Sequence, residues 1–170
     1  MTLYSFDLDD TLFFTPDPEE GKKIWTQRTG LDWPYQGWWG KAETLDTEVF
    51  YIPINPWVYN KYLEATADPD SYIVLATGRL KKVPGMKENI DRLLNQNNLS
   101  FDEIQLTWGG DTYTFKTRLF ESLIKKTKCD HFIMYDDRHI HLVRFYDWAR
   151  EQSCKVTVVD VKNKIARNFN

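Results

Sequence analysis

Five short apolar runs, at residues 2–6, 72–76, 103–106, 131–135 and 156–159, set the strongest limit on what this chain can fold into. They are rich in β-branched and aromatic residues and too short to be helices, so they predict buried strands. Stretches of helical period lie between them. One opens at Pro84 and runs through Ile90, Leu93 and Leu94 to Asn97 and Asn98. A second places Phe115, Leu119, Leu123 and Ile124 on one face, and a third carries Ile140, Val143, Tyr146 and Trp148. Strands that alternate with helices of this length predict an α/β fold, with a mostly parallel sheet covered on both faces.

The segment 14–55 breaks this alternation. It holds Trp25, Trp33, Tyr35, Trp38, Trp39 and four prolines with little clean periodicity, and linkers are seldom so aromatic. It therefore reads as a small compact insertion within one domain spanning residues 1–170. At 170 residues the chain can bury a real core without disulfide or metal staples. Its 22 basic and 25 acidic residues argue against coating nucleic acid through bulk charge, while leaving room for a local basic patch. Cys129 and Cys154 lack C-x-x-C spacing and read as reduced, buried thiols. No apolar run approaches the roughly 18 residues that span a bilayer, and no leader pattern opens the chain. The expectation is a soluble intracellular protein with no membrane contact and no obligate protein partner.

Ligands of open α/β sheets gather beyond the carboxyl ends of the strands. Here the first strand delivers Asp7 and Asp9, the second Thr77, and the fourth Asp136 and Asp137, while Lys116 lies near the start of the helix before the fourth. Carboxylates at i and i+2 converge on one pocket if the backbone bends after the strand. Their repulsion, with that of Asp136, calls for a divalent cation, and Mg²⁺ suits an all-oxygen site. One carboxylate can attack phosphorus and the other can move the proton. A hydroxyl and an ammonium neutralise charge on the transferred group. An acidic turn is often only structural, and Lys81, Lys82, Lys125 and Lys126 compete with Lys116 for its role.

Taken together, these residues resemble the haloacid dehalogenase (HAD) superfamily. Asp7-Leu8-Asp9-Asp10-Thr11 resembles its D-x-D-x-T motif, Ala76-Thr77-Gly78-Arg79 its second motif, Lys116 its motif lysine, and Asp136-Asp137-Arg138 its acidic fourth motif. The resemblance implies a HAD-like Rossmannoid three-layer sandwich with a small cap insertion. It also implies a Mg²⁺-dependent phosphatase working through an aspartyl-phosphate. By resemblance Asp7 is the nucleophile and a metal ligand. Asp9 is the general acid/base and lends its backbone carbonyl to the metal, Thr77 and Lys116 hold the phosphoryl group, Asp136 completes the metal site, and Asp137 joins it by positioning a metal-bound water.

Finer likenesses bear on the substrate. Asp136-Asp137-Arg138 is similar both to 3′-phosphatase domains of polynucleotide kinase/phosphatase and to deoxyribonucleotidases. Gly37-Trp38-Trp39, Thr77-Gly78-Arg79, the segment near Asp102 and Thr114-Phe115-Lys116 resemble the Swiss Army Knife RNA repair-like HAD family. These imply a phosphorylated substrate such as a nucleic-acid end, with Gly78, Arg79 and Lys116 at the phosphate. Trp38 and Trp39 are candidates for stacking on a base or sugar, and the competing reading is that they anchor the insertion to the core. A nucleotidase or small-metabolite phosphatase is the enzymatic alternative, and a HAD-fold binding protein without turnover the non-enzymatic one. Asp10 is expected to cap the turn, Arg138 to pair with Asp137 or Asp10, and His139 and His141 to be polar-face or packing residues.

Overall fold

The computed structural model describes residues 1–170. Its strands are β1 (Thr2–Phe6), β2 (Ser71–Leu80), β3 (Glu103–Thr107), β4 (His131–Asp136), β5 (Lys155–Asp160) and β6 (Ile165–Phe169). Its helices are α1 (Pro18–Thr29), α2 (Pro56–Ala67), α3 (Met86–Gln96), α4 (Thr112–Thr127) and α5 (His139–Arg150), with a single 3₁₀ turn at Ala42–Leu45. No helix is long and apolar enough to cross a membrane.

The six strands form one sheet in the order β3-β2-β1-β4-β5-β6. The first five are parallel; β6 returns antiparallel to β5. β1 lies between β2 and β4, pairing Thr2 with Ser71 on one side and with His131 on the other. The strand order therefore reverses at β1, the place where α/β sheets open a ligand crevice.

Period-2 alternation divides the sheet's apolar side chains between two cores. On one face Phe6, Ile73 and Leu75 pack with Val58, Tyr62 and Ala65 of α2 and with Met86, Ile90, Leu93 and Leu94 of α3. On the other, Leu3, Val74, Ala76, Phe132 and Met134 pack with Phe120, Leu123 and Ile124 of α4 and with Leu142, Phe145 and Trp148 of α5. Three layers result, a HAD-like Rossmann-type arrangement. Phe6 stacks on Tyr135 across the β1–β4 pair at 4.7 Å. Cys129 and Cys154 are free and buried with their sulfurs 3.9 Å apart.

Some boundaries differ from the sequence expectation. Pro84 does not open α3: Gly85, at φ 79°, interrupts right-handed helical geometry, and the helix begins at Met86. Ile140 and Val143 lie within α5 but face solvent, because its buried stripe runs through His141, Leu142, Phe145, Trp148 and Ala149. Segment 14–55 holds a full helix, α1. Asp17 caps it by accepting from the Glu19 and Glu20 amides, and Pro18 takes the first helical position.

Trp38 is corrected as well. It is not a surface stacking residue but a buried anchor, 4% exposed, in contact with Trp33 and Phe50. Its indole N–H donates to the Pro16 carbonyl at 2.8 Å. The ring lies so close to α1 that a Cβ on Gly21 would meet it at 2.1 Å. Removing a buried Trp side chain costs about 3–5 kcal/mol, so Trp38→Ala is expected to lose stability on that scale in urea unfolding. Gly21→Ala is expected to destabilise too, although Ala favours an isolated helix by about 1 kcal/mol. An increase in the Gly21→Ala unfolding midpoint would contradict this packing.

Candidate active site

The chain leaves β1 through a tight turn. Leu12 and Phe13 donate their backbone N–H groups to the carbonyls of Asp7 and Leu8 at 3.2 and 3.0 Å. Asp10 takes φ 52°, a left-handed conformation that Asp tolerates better than most residues. Leu8, Thr11 and Leu12 are fully buried in the core, while Asp9 and Asp10 turn outward. Asp7 and Asp9 thus line the same cavity, of about 230 Å³.

β4 brings its last residue, Asp136, to the opposite wall. One carboxylate oxygen accepts the Arg138 amide at 2.9 Å, fixing the turn into α5. The other accepts from the Lys116 ammonium at 2.6 Å. Lys116 lies on α4, whose start is set by Asp111, an acceptor for the Thr114 amide at 2.9 Å. Its side chain is 3% exposed and also reaches Asp7 at 2.9 Å. A single ammonium thereby bridges carboxylates from two adjacent strands. Burial works against its charge, yet Asp136 and Asp7 outweigh that cost and raise its pKa above the ordinary lysine range.

Arg79, near the end of β2, is the second organiser. Its Nε and Nη2 donate to the two Asp9 oxygens at 2.9 and 2.6 Å, a bidentate pair. Its Nη1 donates to the Trp39 carbonyl at 2.6 Å and to the Thr44 hydroxyl at 2.7 Å, and the guanidinium lies 5.5 Å from the centre of the Trp39 ring. Burial alone would favour neutral Asp9, but the guanidinium holds this carboxyl below the usual carboxylate range. Arg79 thus serves as a carboxylate clamp joined to segment 14–55, with most of its donors taken.

Charge in the cavity is unbalanced. Asp7, Asp9, Asp10, Asp136 and Asp137 share the cavity wall with Arg79, Lys116 and Arg138, with Lys162 reaching Asp137 at 3.3 Å, and His141, whose pKa burial lowers, adds no firm positive charge. Burial, with this excess behind it, shifts the titration of the acids. Burial, with help from Asp136 and against the pull of Lys116, pushes Asp7 up to about 7. Burial, then Asp137 and Asp9, pushes Asp10 up to about 6. Asp137 is raised by burial and by Asp136. Carboxylate oxygens of Asp7, Asp136 and Asp137 lie within 4.8 Å of one another, a hard-oxygen set able to hold a divalent cation. The Asp9 carboxylate is taken up by Arg79, so a contribution from Asp9 to a cation falls to its backbone.

Of the residues singled out in the sequence, Asp7, Asp9, Trp39, Gly78, Arg79, Lys116, Asp136 and Asp137 meet in this cavity. Thr77 lies behind it, fully buried, with its hydroxyl accepting the Arg79 amide at 3.2 Å. Trp38 stays in the core. Gly78 is required where β2 meets α4, because a Cβ there would sit 2.9 Å from the Thr112 side chain. Thr112, which sequence reasoning missed, lines the wall as the first residue after the Asp111 cap. Asp10 and His141 also line it, against the bystander roles expected of them, and Arg138 lines it as well. Asp137 pairs with Lys162 at 3.3 Å, which leaves Arg138 free of the carboxylate partner predicted for it.

Carboxylates from β1 and β4 gathered at the reversal point, with a helix lysine between them, define a HAD-superfamily domain. Residues 18–167 match the family model described as HAD domain family 1 in Swiss Army Knife RNA repair proteins. The chain belongs to this family, whose fold hosts hydrolases and phosphatases. The matched span begins after Asp7 and Asp9, so the part they play rests on the geometry above. No curated protein and no solved structure matches the chain.

Breaking a buried ion pair from one side costs about 3–5 kcal/mol. Arg79→Met is expected to lose stability toward the lower end of that range, because Asp9 retains some solvent contact. In a double-mutant cycle, adding Asp9→Asn should recover part of the loss. Strict additivity in denaturant unfolding would show that the clamp is not energetically coupled.

Proposed function

We propose that this chain is a Mg²⁺-dependent phosphomonoesterase that works through an aspartyl-phosphate and acts on nucleic-acid ends bearing a 3′ phosphate. On this reading it functions as one domain, with segment 14–55 as a small cap. The carrying observation is the meeting of Asp7, Asp136 and Asp137 within 4.8 Å, beside a buried lysine, in one small polar cavity. The donor set fits Mg²⁺: three carboxylates, no soft ligand, and surplus negative charge. Asp7, Asp136, Asp137 and the Asp9 backbone are the groups to hold it. When bound, the cation neutralises charge on the phosphoryl oxygens and screens Asp7 from the incoming phosphate.

The chain's own groups then divide the work. A carboxylate oxygen of Asp7 attacks phosphorus, forming an O–P bond as the bond to the leaving oxygen breaks. Asp9 delivers a proton to that oxygen. In the second half Asp9 takes a proton from water, whose oxygen attacks the phosphoryl group, releasing inorganic phosphate and restoring Asp7. Lys116 neutralises charge on the transferred group. The Arg79 clamp keeps Asp9 ionised and correctly oriented for the hydrolytic half, so proton delivery in the first half requires the pair to loosen and Asp9 to have taken up a proton, from solvent in the first turnover and from the hydrolytic water thereafter. Thr77 supports this geometry from behind, through the Arg79 backbone.

The choice of a polymer end rests on size and on the family. A cavity of about 230 Å³, with Trp39 its only apolar lining residue, suits a phosphoryl group and a hydrated cation but not a nucleobase. The rest of the substrate has to lie outside, where Trp39, 40% exposed, offers a ring face at the lip. The family's RNA repair setting supports the same class.

Asp7→Asn is expected to abolish hydrolysis of an aryl phosphate, by at least about 10³-fold, with an unchanged circular dichroism spectrum. Undiminished turnover in that variant would remove Asp7 as nucleophile. EDTA is expected to stop hydrolysis and Mg²⁺ to restore it, whereas full activity in chelator would refute the cation. Across a panel of oligonucleotide ends, nucleotides, sugar phosphates and phosphopeptides, a 3′-phosphorylated oligonucleotide should show the highest kcat/KM, with Trp39→Ala raising KM. Preference for mononucleotides would favour a nucleotidase.

A further inference from the structure

Outside the cavity, the most exposed tryptophan is Trp108, at 67%. Tryptophan is seldom left this open without a use for its face. The chain around it is fixed. Thr107 is buried at the end of β3, and its hydroxyl accepts the Gly109 amide at 3.1 Å. Gly109 and Gly110 then adopt φ 126° and 84°, conformations few residues other than glycine reach, so the backbone turns away directly after the indole. The Lys81 ammonium lies 4.9 Å from the centre of the Trp108 ring, and the Lys81 amide donates to the Thr107 carbonyl at 2.8 Å.

The place matters as much as the exposure. A Cβ on Gly40 would lie 3.8 Å from one Leu80 methyl, and a Cβ on Gly109 would lie 3.9 Å from the other. Leu80 therefore sits between the loop carrying Trp39 and the loop carrying Trp108. Trp39 at the cavity lip, half-buried Leu80 and Trp108 are thus taken together as an apolar ledge, with the exposed Lys81 and Lys82 following Leu80 in sequence. Two aromatic faces in succession beside ammonium groups match a repeating unit of flat base and anionic linker.

We infer that Trp108 and Lys81 form a second binding subsite, which takes the base and phosphate of the nucleotide next to a single-stranded end; the direction of the strand rests on the phosphatase reading, which puts the terminal phosphate in the cavity. Trp39 stacks on the terminal base and Trp108 on the one before it. Lys81 meets the phosphate between them. The chain thereby distinguishes a strand from a mononucleotide without reading sequence, because every base has a stacking face.

The test separates binding from turnover. Fluorescence anisotropy of a labelled adenine RNA tetranucleotide with a 3′ hydroxyl, in EDTA, reports strand binding with no reaction. Trp108→Ala is expected to weaken it by about five- to a hundredfold, the range of one base stack. Lys81→Ala should lower the slope of log affinity against log salt by about 0.7. In turnover, Trp108→Ala should raise KM for a 3′-phosphorylated tetranucleotide and leave aryl phosphate and a 3′-phosphorylated mononucleotide unaffected. Equal tetranucleotide binding by the wild type and Trp108→Ala, or no binding by the wild type, overturns the subsite. A chain that hydrolyses aryl phosphate but ignores the strand keeps its phosphatase reading and loses the ledge. A chain that binds the strand through Trp108 but turns over no phosphate keeps the ledge and loses the phosphatase. Preference for a phosphopeptide, unaffected by Trp108→Ala, overturns the ledge as well.

Discussion

The Lys116 ammonium, closed off from solvent between Asp7 and Asp136, is the contact around which the catalytic end of the sheet is organised. Neighbouring parallel strands bring their terminal carboxylates close together whether or not that is favourable, because the ladder fixes their spacing. A buried cation makes such closeness tolerable, but one positive charge does not cancel two carboxylates with Asp137 at their side. Burial first, and repulsion among the carboxylates second, raises the pKa values of Asp7, Asp10 and Asp137. Surplus negative charge of this kind is what the proposed cation would offset.

Arg79 distributes the same electrostatics over a longer reach. It grips Asp9 with one edge of its guanidinium, and with the other it holds the Trp39 carbonyl and the Thr44 hydroxyl of segment 14–55. The segment is itself pinned from below, where Trp38 fills the space that Gly21 leaves on α1. The adjacent tryptophans thus divide two tasks: Trp38 fastens the segment to the core, and Trp39 is presented at the opening. Movement of this segment would reach Asp9 directly, because a single side chain touches both.

Much of the fold was legible in the sequence, because the strands of a covered parallel sheet are apolar throughout and stand out against helical periodicity. Runs at 2–6, 72–76, 103–106, 131–135 and 156–159 correspond to β1 through β5. β6 was not legible: four of its five residues are exposed, so it lacks the one-sided alternation that reveals a half-buried strand. α1 was hidden for a related reason, since Gly21 is its only buried residue, although Asp17-Pro18 is a readable start signal. At the site, strand ends indicated which carboxylates would meet, and α4 periodicity carried Lys116 to the same place. No local pattern announces that Arg79 will clamp Asp9, that Thr77 will turn into the interior, or that Trp38 and Trp39 will face opposite ways. Those outcomes depend on contacts between segments far apart in the chain.

The position of β1 in the middle of the sheet also constrains how the molecule comes into being. The nearer of its two partners in sequence, β2, begins at Ser71, but the other flank stays open until His131–Asp136 has been synthesised. Pairings of such wide sequence separation are slow to close. A ribosome moving along the message therefore releases the two motif aspartates that follow β1 long before the strand that completes their surroundings, and the nascent protein carries an unfinished central strand until Asp136 has been added.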